Sequence, residues 1–195
     1  MTAYYPVYLN LTGKKCVVIG GGPIAEDKVA KLQDAHAEVI LISPTVTPSL
    51  LAWAQAGDFE WQKREYRPGD LEGAFLGIAS TNNRQVNQEV FQEAESRGVL
   101  INVVDEPEQC TFIAPSIVQR GQVTLAISTG GASPALARKL RETLSKDPAL
   151  EWADLAGVLA SARKELKKQG LTVDPQRWQC CITDDLLELA QSGQE

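Results

Sequence analysis

The chain has 195 residues, 44% of them hydrophobic, and a formal net charge of -6. This length and composition suffice to bury a core, as one domain with an appendage or as two small domains. The acidic balance argues against a general nucleic-acid binder, which would carry a basic face. No apolar run is long enough to cross a bilayer, and the first residues lack the basic start and apolar centre of a signal peptide, so no membrane association is expected.

Residues 14–104 alternate short apolar runs with segments of helical periodicity. The run KKCVVIG at 14–20 predicts a strand, and the positions of Ala25, Val29 and Leu32 predict a helix after it. A helix is also predicted over 49–56, and another has Asn82 or Asn83 as its N-cap and a stripe of Val86, Val90, Phe91 and Ala94. The other predicted strands cover 38–43, 59–64, 75–81 and 99–104. This alternation predicts an α/β fold, a Rossmann-type doubly wound parallel sheet within residues 1–113.

The pattern changes after this region. Residues 112–118 and 123–129 predict two strands joined by a tight turn at 119–122. A helix follows, with Ser133 as N-cap, Pro134 at the first helical position, and Leu136, Leu140 and Leu144 on one face. This strand-plus-helix module, residues 114–147, has too few apolar residues to close its own core. The sequence therefore predicts that it is a dimerisation module.

Residues 148–195 predict a C-terminal helical module. Apolar residues recur there at helical spacing up to Gly170, and one last helix is predicted to carry Trp178, Ile182 and Leu186. The recurring residues are Trp152, Leu155, Leu159, Ala162 and Leu166. Both tryptophans are expected to be packing residues.

The four cysteines, Cys16, Cys110, Cys180 and Cys181, form no CxxC motif and no cluster with zinc spacing. They are expected to be reduced thiols of a cytoplasmic protein.

The glycine-rich stretch VVIGGGPIAEDK places Gly20, Gly22 and Ala25 in a G-x-G-x-x-A pattern between a strand and a helix. The first glycine allows a tight turn, the second lets backbone approach a pyrophosphate, and the small third residue permits close helix packing. The alternative is a structural glycine-rich turn. The context favours dinucleotide binding.

The second predicted strand ends at Ser43, Pro44 and Thr45 and lacks the acid that usually binds the adenosine ribose. No Arg or Lys follows until Lys63, so nothing obvious receives a 2′-phosphate. We therefore expect backbone groups and the hydroxyls of Ser43 and Thr45 to hold the ribose. NAD is favoured over NADP by a modest margin, because no acid repels the phosphate.

Four separated motifs, GGGPIAEDK, STNNRQVNQEV, INVVDEPEQCTFIAPSI and ISTGGASPALARKLRE, occur in order along nearly the whole chain. They resemble the precorrin-2 dehydrogenase and sirohydrochlorin ferrochelatase family, the dehydrogenase part of siroheme synthase. The resemblance implies NAD-dependent oxidation of precorrin-2 to sirohydrochlorin by a homodimer, and in some members iron insertion, a lyase reaction that gives siroheme. Two departures are Asp27, where a basic residue is frequent, and Thr129, where a second serine is frequent. Methylation of uroporphyrinogen is not expected.

Asp105 ends the strand over 99–104, at the edge of the sheet where ligands bind in such folds. Dehydrogenation releases a proton, and His36, the only histidine, is expected in a solvated turn. The resemblance also points to Asp105 as the key acidic residue of catalysis. The alternative is that Asp105 caps the turn at Pro107.

The glycine-rich loop and the resemblance together predict the remaining site residues. Asn102 is predicted to contact the cofactor, with an internal hydrogen bond as the alternative. Predicted contacts to NAD are Gly20, Gly22, Pro23, Ile24, Ala25, Ser43, Pro44, Thr45, Thr81, Asn82 and Asn102. Predicted contacts to the tetrapyrrole are Ser128, Thr129, Gly130, Gly131, Arg120 and Arg138. An ordinary helix cap by Ser133 and a solvated basic helix face are the alternatives for the second set.

A transient site for Fe²⁺, as substrate, is expected at Asp105 because no Cys/His cage occurs elsewhere in the sequence. Two other functions stay open. One is a non-enzymatic NAD-sensing regulatory module, which would usually carry the acid after the second strand. The other is a dehydrogenase of a small hydroxy acid, for which no His/Asp or Lys/Tyr pairing is evident.

Overall fold

A computed structural model describes residues 4–193, and its internal contacts divide the chain into two units between Ala114 and Pro115. The first unit contains a parallel five-stranded sheet in the order β3-β2-β1-β4-β5. Its strands are β1 (Lys15–Ile19), β2 (Glu38–Ile42), β3 (Glu60–Gln62), β4 (Leu76–Ala79) and β5 (Leu100–Val103). This order confirms the predicted α/β fold, in which a topological switch point lies between β1 and β4.

Three helices cover the two faces of this sheet, namely α1 (Pro23–Asp34), α2 (Pro48–Ala56) and α3 (Arg84–Arg97). Because side chains alternate along a strand, β1 serves two separate cores. Cys16 and Val18 pack with Val29 of α1 and Leu50 of α2, whereas Val17 and Ile19 pack with Val90 and Ala94 of α3. Helices on both faces make the sheet doubly wound.

The helix ends follow from local chemistry. Asn83 accepts hydrogen bonds from the backbone of Gln85 and Val86 and so caps α3, which settles the choice between Asn82 and Asn83. Thr47 caps α2 by accepting from Leu50. At the other ends of these helices, Gly57 and Gly98 adopt the left-handed conformation that closes a helix.

The second unit begins with an antiparallel pair, β6 (Ser116–Arg120) and β7 (Val123–Ile127), followed by α4 (Pro134–Leu144). A 3₁₀ segment (Pro148–Asp154) then leads into α5 (Leu155–Lys168), α6 (Pro175–Cys180) and α7 (Asp184–Gln191). The ion pair between Arg120 and Asp154 links β6 to the 3₁₀ segment. The boundary predicted between residues 147 and 148 stays a prediction.

Three local predictions were wrong. The strand predicted from 112 begins at Ser116, after Pro115, whose ring removes a ladder donor. The predicted four-residue turn shortens to Gly121 and Gln122, because Gln119 and Arg120 pair with β7. The single last helix is two, α6 and α7, separated by a break that ends at the N-cap Thr183.

Trp152 lies in the 3₁₀ segment and is 37% exposed, so this predicted packing residue is only partly buried. No helix within residues 4–193 is long and apolar enough to span a membrane.

Candidate cofactor and catalytic site

Residues that follow the carboxyl ends of the parallel strands lie at one edge of the sheet in the first unit, and they include several of the predicted site residues. Gly20 follows β1, Ser43 follows β2, Ser80 follows β4, and Asp105 lies two residues beyond β5. Ligands of open α/β sheets bind at this edge, beside the switch point.

The glycine turn, residues 20–22, packs closely against the backbone of neighbouring segments. Gly20 has φ of 111°, and a Cβ there would lie 2.6 Å from the carbonyl oxygen of Ser80. A Cβ on Gly21 would lie 2.1 Å from the carbonyl oxygen of Thr45, whereas a Cβ on Gly22 would meet nothing within 4 Å. Gly22 is also the N-cap of α1, and no side chain caps this helix. An open glycine at an uncapped helix N-terminus fits the pyrophosphate of a dinucleotide.

The next three residues differ in what they offer a cofactor. Pro23 and Ile24 are exposed, and Ile24 presents 47% of its surface. The side chain of Ala25 is wholly buried in the core between α1 and the sheet. Its methyl group therefore serves close helix packing, and a side-chain contact to the cofactor is excluded.

The predicted ribose-binding loop offers fewer free groups than expected. Ser43 is only 6% exposed, and its hydroxyl donates to the carbonyl oxygen of Thr45 at 2.6 Å. The carbonyl of Ser43 accepts from the indole of Trp61 at 3.0 Å. The Ser43 hydroxyl, which was predicted to bind the ribose, thus already donates its hydrogen bond to the backbone of its own loop. Pro44 and Thr45 are exposed.

Thr81 and Asn82 follow β4 and differ in accessibility. The Thr81 hydroxyl donates to Oδ1 of Asn87 at 2.7 Å, and Nδ2 of Asn87 donates back to the Thr81 carbonyl at 3.1 Å. Asn82 is exposed. Asn87, which is 5% exposed in α3, was not predicted from the sequence. The available signal was its position one residue after Val86 of the apolar stripe.

Asn102 is held inside the first unit. Its amide donates to the carbonyl of Phe112 at 3.1 Å and lies 3.5 Å from the sulfur of Cys110. These contacts are the internal hydrogen bonds that the sequence left as the alternative. Burial raises the pKa of Cys110, so its thiol stays protonated beneath the turn.

Asp105 has an unusual backbone and a free carboxylate. Its φ is 63°, a left-handed conformation that costs an L-residue about 1 kcal/mol, although Asp tolerates it better than most. The side chain is exposed and makes no hydrogen bond or ion pair within residues 4–193. The turn is closed instead by the backbone of Glu106, which donates to the Val103 carbonyl at 3.2 Å. Asp105 therefore does not cap the turn, and its carboxylate is available to a ligand.

The turn before α4 is hydroxyl-rich and internally bonded. Thr129 Oγ1 accepts from the backbone of Ser133 and lies 3.1 Å from its carbonyl oxygen, and Ser128 Oγ accepts from Gly130 at 3.0 Å. Gly130 and Gly131 both have positive φ. Ser133 caps α4, as predicted.

The two arginines predicted for the substrate differ. Arg120 forms a two-pronged ion pair with Asp154, at 2.9 and 2.6 Å, which raises the pKa of Arg120 and lowers that of Asp154. Its guanidinium is therefore engaged. Arg138 is 75% exposed and pairs with Glu142 one turn along α4. Arg138 is the more accessible of the two.

Among residues 4–193, no three His, Cys, Asp or Glu side chains gather into a group that could hold a metal ion.

Known proteins resemble this chain along its whole length. A family model for NAD(P)-binding proteins matches residues 7–116, and a model for the central part of sirohaem biosynthesis proteins matches residues 120–146. Siroheme synthase of Nitrosococcus oceani is 37% identical over 98% of this chain, and that of Methylobacillus flagellatus is 38% identical over 97%. The chain spans 42% and 41% of these two relatives. The solved structure of SirC, precorrin-2 dehydrogenase, superimposes with a TM-score of 0.77 and 26% identity, covering 98% of this chain and 95% of that one.

Proposed function

This chain belongs to the NAD(P)-binding family of siroheme biosynthesis proteins, and we propose that it oxidises precorrin-2 to sirohydrochlorin with NAD. The observation that carries the proposal is the exposed, unpartnered carboxylate of Asp105 at the same sheet edge as the open glycine turn. A whole-length likeness to a precorrin-2 dehydrogenase supports the choice of substrate.

The chain's own residues have three tasks in this reaction. The turn from Gly20 to Gly22 and the start of α1 bind the pyrophosphate, and the loop at Pro44 and Thr45 borders the adenosine. NAD, when bound, supplies the acceptor for the hydride that leaves the tetrapyrrole. The proton that leaves the same substrate goes to the carboxylate of Asp105, a general base in contact with water.

The turn from Ser128 to Gly131 and the guanidinium of Arg138 belong to the same proposal as contacts for the substrate. Arg binds carboxylates well because its planar fork matches their geometry, and a tetrapyrrole of this class carries many carboxylates. Arg120 is a weaker candidate, since Asp154 already holds it.

The proposal is tested by mixing the protein with precorrin-2 and NAD without oxygen and following the absorbance spectrum. We expect precorrin-2 bands to give way to those of sirohydrochlorin while NADH accumulates, and no conversion in a sample without NAD. A spectrum that stays that of precorrin-2 would remove the dehydrogenase function. The regulatory alternative finds no support among the relatives, which bear the names of enzymes.

Iron insertion into sirohydrochlorin is a second candidate function at the same carboxylate. Two ring protons must leave as the metal enters, and Asp105 is free to accept one or to present the cation. The test supplies sirohydrochlorin and Fe²⁺ or Co²⁺ without NAD and compares insertion with the spontaneous rate. Equal rates would eliminate this function, and acceleration that survives Asp105→Asn would assign it to another residue.

A homodimer is also part of the proposal. In the second unit, Ile117, Leu136 and Leu140 present 43%, 51% and 40% of their surfaces. A partner that covers such side chains would remove apolar surface from water. Light scattering at micromolar concentration should give twice the chain mass, and a monomer would contradict the proposal.

A further inference from the structure

The loop after β2, residues 43–47, is fastened to the glycine turn. The backbone of Thr47 donates to the Gly21 carbonyl at 3.0 Å, and the backbone of Gly20 donates to Ile42 at 3.0 Å. The Thr45 carbonyl lies against the Cα of Gly21, in the space that a side chain would need. The loop and the turn are therefore hydrogen-bonded to each other along one side of the proposed cofactor site.

An acidic residue of α1, Glu26, is hydrogen-bonded to this loop. Glu26 lies in the first turn of α1, and its Oε2 accepts a hydrogen bond of 2.5 Å from the Thr47 hydroxyl. The same Thr47 oxygen accepts from the backbone of Leu50 at 3.3 Å, so the threonine is held in place in turn. Among residues 4–193, no Lys, Arg or His forms an ion pair with Glu26. Its negative charge is thus positioned by the protein and not neutralised by a cation.

Ser43 directly follows β2, at the position where dinucleotide-binding folds usually place the acidic residue that binds the adenosine ribose. The Ser43 hydroxyl is bonded to its own loop, so it does not replace that acid. We infer that Glu26 supplies, from α1, the carboxylate that the end of β2 lacks, and that it selects NAD over NADP. The inference rests on the proposed function, because it concerns the same cofactor site.

The physical basis is charge. A fixed, unneutralised carboxylate next to the loop disfavours the extra phosphate of NADP and is compatible with the hydroxyls of NAD. Glu26 is therefore a specificity-determining residue. The preference for NAD should exceed the modest margin that the loop sequence alone suggests.

The neighbouring Asp27 offers a matched control. It stands one position along the same helix and is half exposed, but it pairs with Lys31 at 2.8 Å and Lys28 at 3.6 Å, and within residues 4–193 its carboxylate forms no hydrogen bond or ion pair with the loop. Burial alone would raise the pKa of Asp27, but the two lysines outweigh burial and lower it. Asp27→Asn removes the same formal charge from almost the same place.

The experiment measures dissociation constants of NADH and NADPH by nicotinamide fluorescence for wild type, Glu26→Gln and Asp27→Asn. Glutamine keeps an acceptor for Thr47 and removes only the charge. We expect Glu26→Gln to lower the ratio of the NADPH to the NADH dissociation constant about tenfold, and Asp27→Asn to change it less than twofold. An unchanged ratio in Glu26→Gln, or an equal fall in both variants, would overturn the inference.

A second measurement needs no variant. Added KCl screens charge repulsion, so the ratio of the two constants for wild type should fall as the salt concentration rises. A ratio that is independent of salt would contradict a charge-based selection. Wild-type protein that binds neither NADH nor NADPH would refute the proposed function itself. Wild-type protein that binds both, with a ratio unchanged in Glu26→Gln, would refute only the role of Glu26.

Discussion

Gly21 faces the carbonyl oxygen of Thr45 so closely that an added Cβ would lie 2.1 Å from it. This contact brings the glycine turn against the loop after β2. Gly21, the middle residue of the G-x-G pattern, is therefore required for the packing of the turn against the loop. Two alanine variants, one residue apart, separate this steric role from cofactor binding.

Gly21→Ala is expected to destabilise the first unit, because neither the turn nor the loop backbone yields without breaking hydrogen bonds. Gly22→Ala is expected to leave the melting temperature within a few degrees, since its Cβ enters open space. It should nevertheless weaken NADH binding, because we propose that the pyrophosphate approaches the backbone in that open space. Thermal unfolding and NADH fluorescence test the pair. Equal stability of the two variants would contradict the packing argument, and unchanged NADH affinity in Gly22→Ala would contradict the placement of the cofactor.

Thr47→Val should lower the free energy of unfolding by about 1 kcal/mol or more, the usual effect of losing an N-cap. The variant also leaves the Glu26 carboxylate without its donor. Thr47→Ser keeps the hydroxyl and is the control. Denaturant titrations that give the same free energy for valine and serine variants would show that the hydroxyl contributes nothing.

The free energy of unfolding should depend on pH through the carboxyl group of Asp70. Burial alone would raise its pKa, but hydrogen bonds from the Arg64 guanidinium and the Arg67 backbone outweigh burial and hold it below the ordinary 3.8. A carboxyl whose pKa is lower in the folded state stabilises the fold at pH values above its unfolded pKa, and this stabilisation is lost as the pH falls through the folded pKa. Asp70→Asn should therefore melt below wild type at pH 7, with a gap that narrows under acid conditions below about 3.8. A gap independent of pH would refute the ion pair's contribution.

The proposed substrate contacts can be tested by comparing Arg138→Ala with Arg120→Ala. Loss of the exposed Arg138 should raise KM for precorrin-2 and leave the melting temperature nearly unchanged. Loss of Arg120 should lower the melting temperature, because Asp154 loses its ion-pair partner. Steady-state kinetics and thermal unfolding distinguish the two. A KM for Arg138→Ala equal to that of wild type would return Arg138 to the role of a solvated helix residue.

Periodicity was sufficient to predict the sheet and the first helices, because each has a strong local pattern. Ala25, Val29 and Leu32 recur at helical spacing, and all three are buried in the structure. The later elements depend on weaker signals. Pro115 delays the start of β6, and no clear local pattern marks the break before Thr183.

Site residues were harder to predict where their partners come from other elements. The hydroxyl of Ser43 and the amide of Asn102 are bonded to backbone carbonyls whose positions only the folded chain defines. Glu26 is one charge among several on a helix, a pattern typical of a solvated face. Its bond to Thr47, 21 positions away, distinguishes it from the other acids of α1. The left-handed backbone of Asp105 also has no signature in the sequence.

The central claim is that Asp105 receives the substrate's proton, and the most direct test is the turnover of Asp105→Asn with saturating precorrin-2 and NAD. Asparagine keeps the shape and tolerates the left-handed backbone, so the fold and the NADH dissociation constant should match those of wild type. Loss of the general base should lower the rate of sirohydrochlorin formation about a hundredfold or more. A rate within twofold of wild type, at equal cofactor affinity, would contradict the account and make Asp105 only a turn residue.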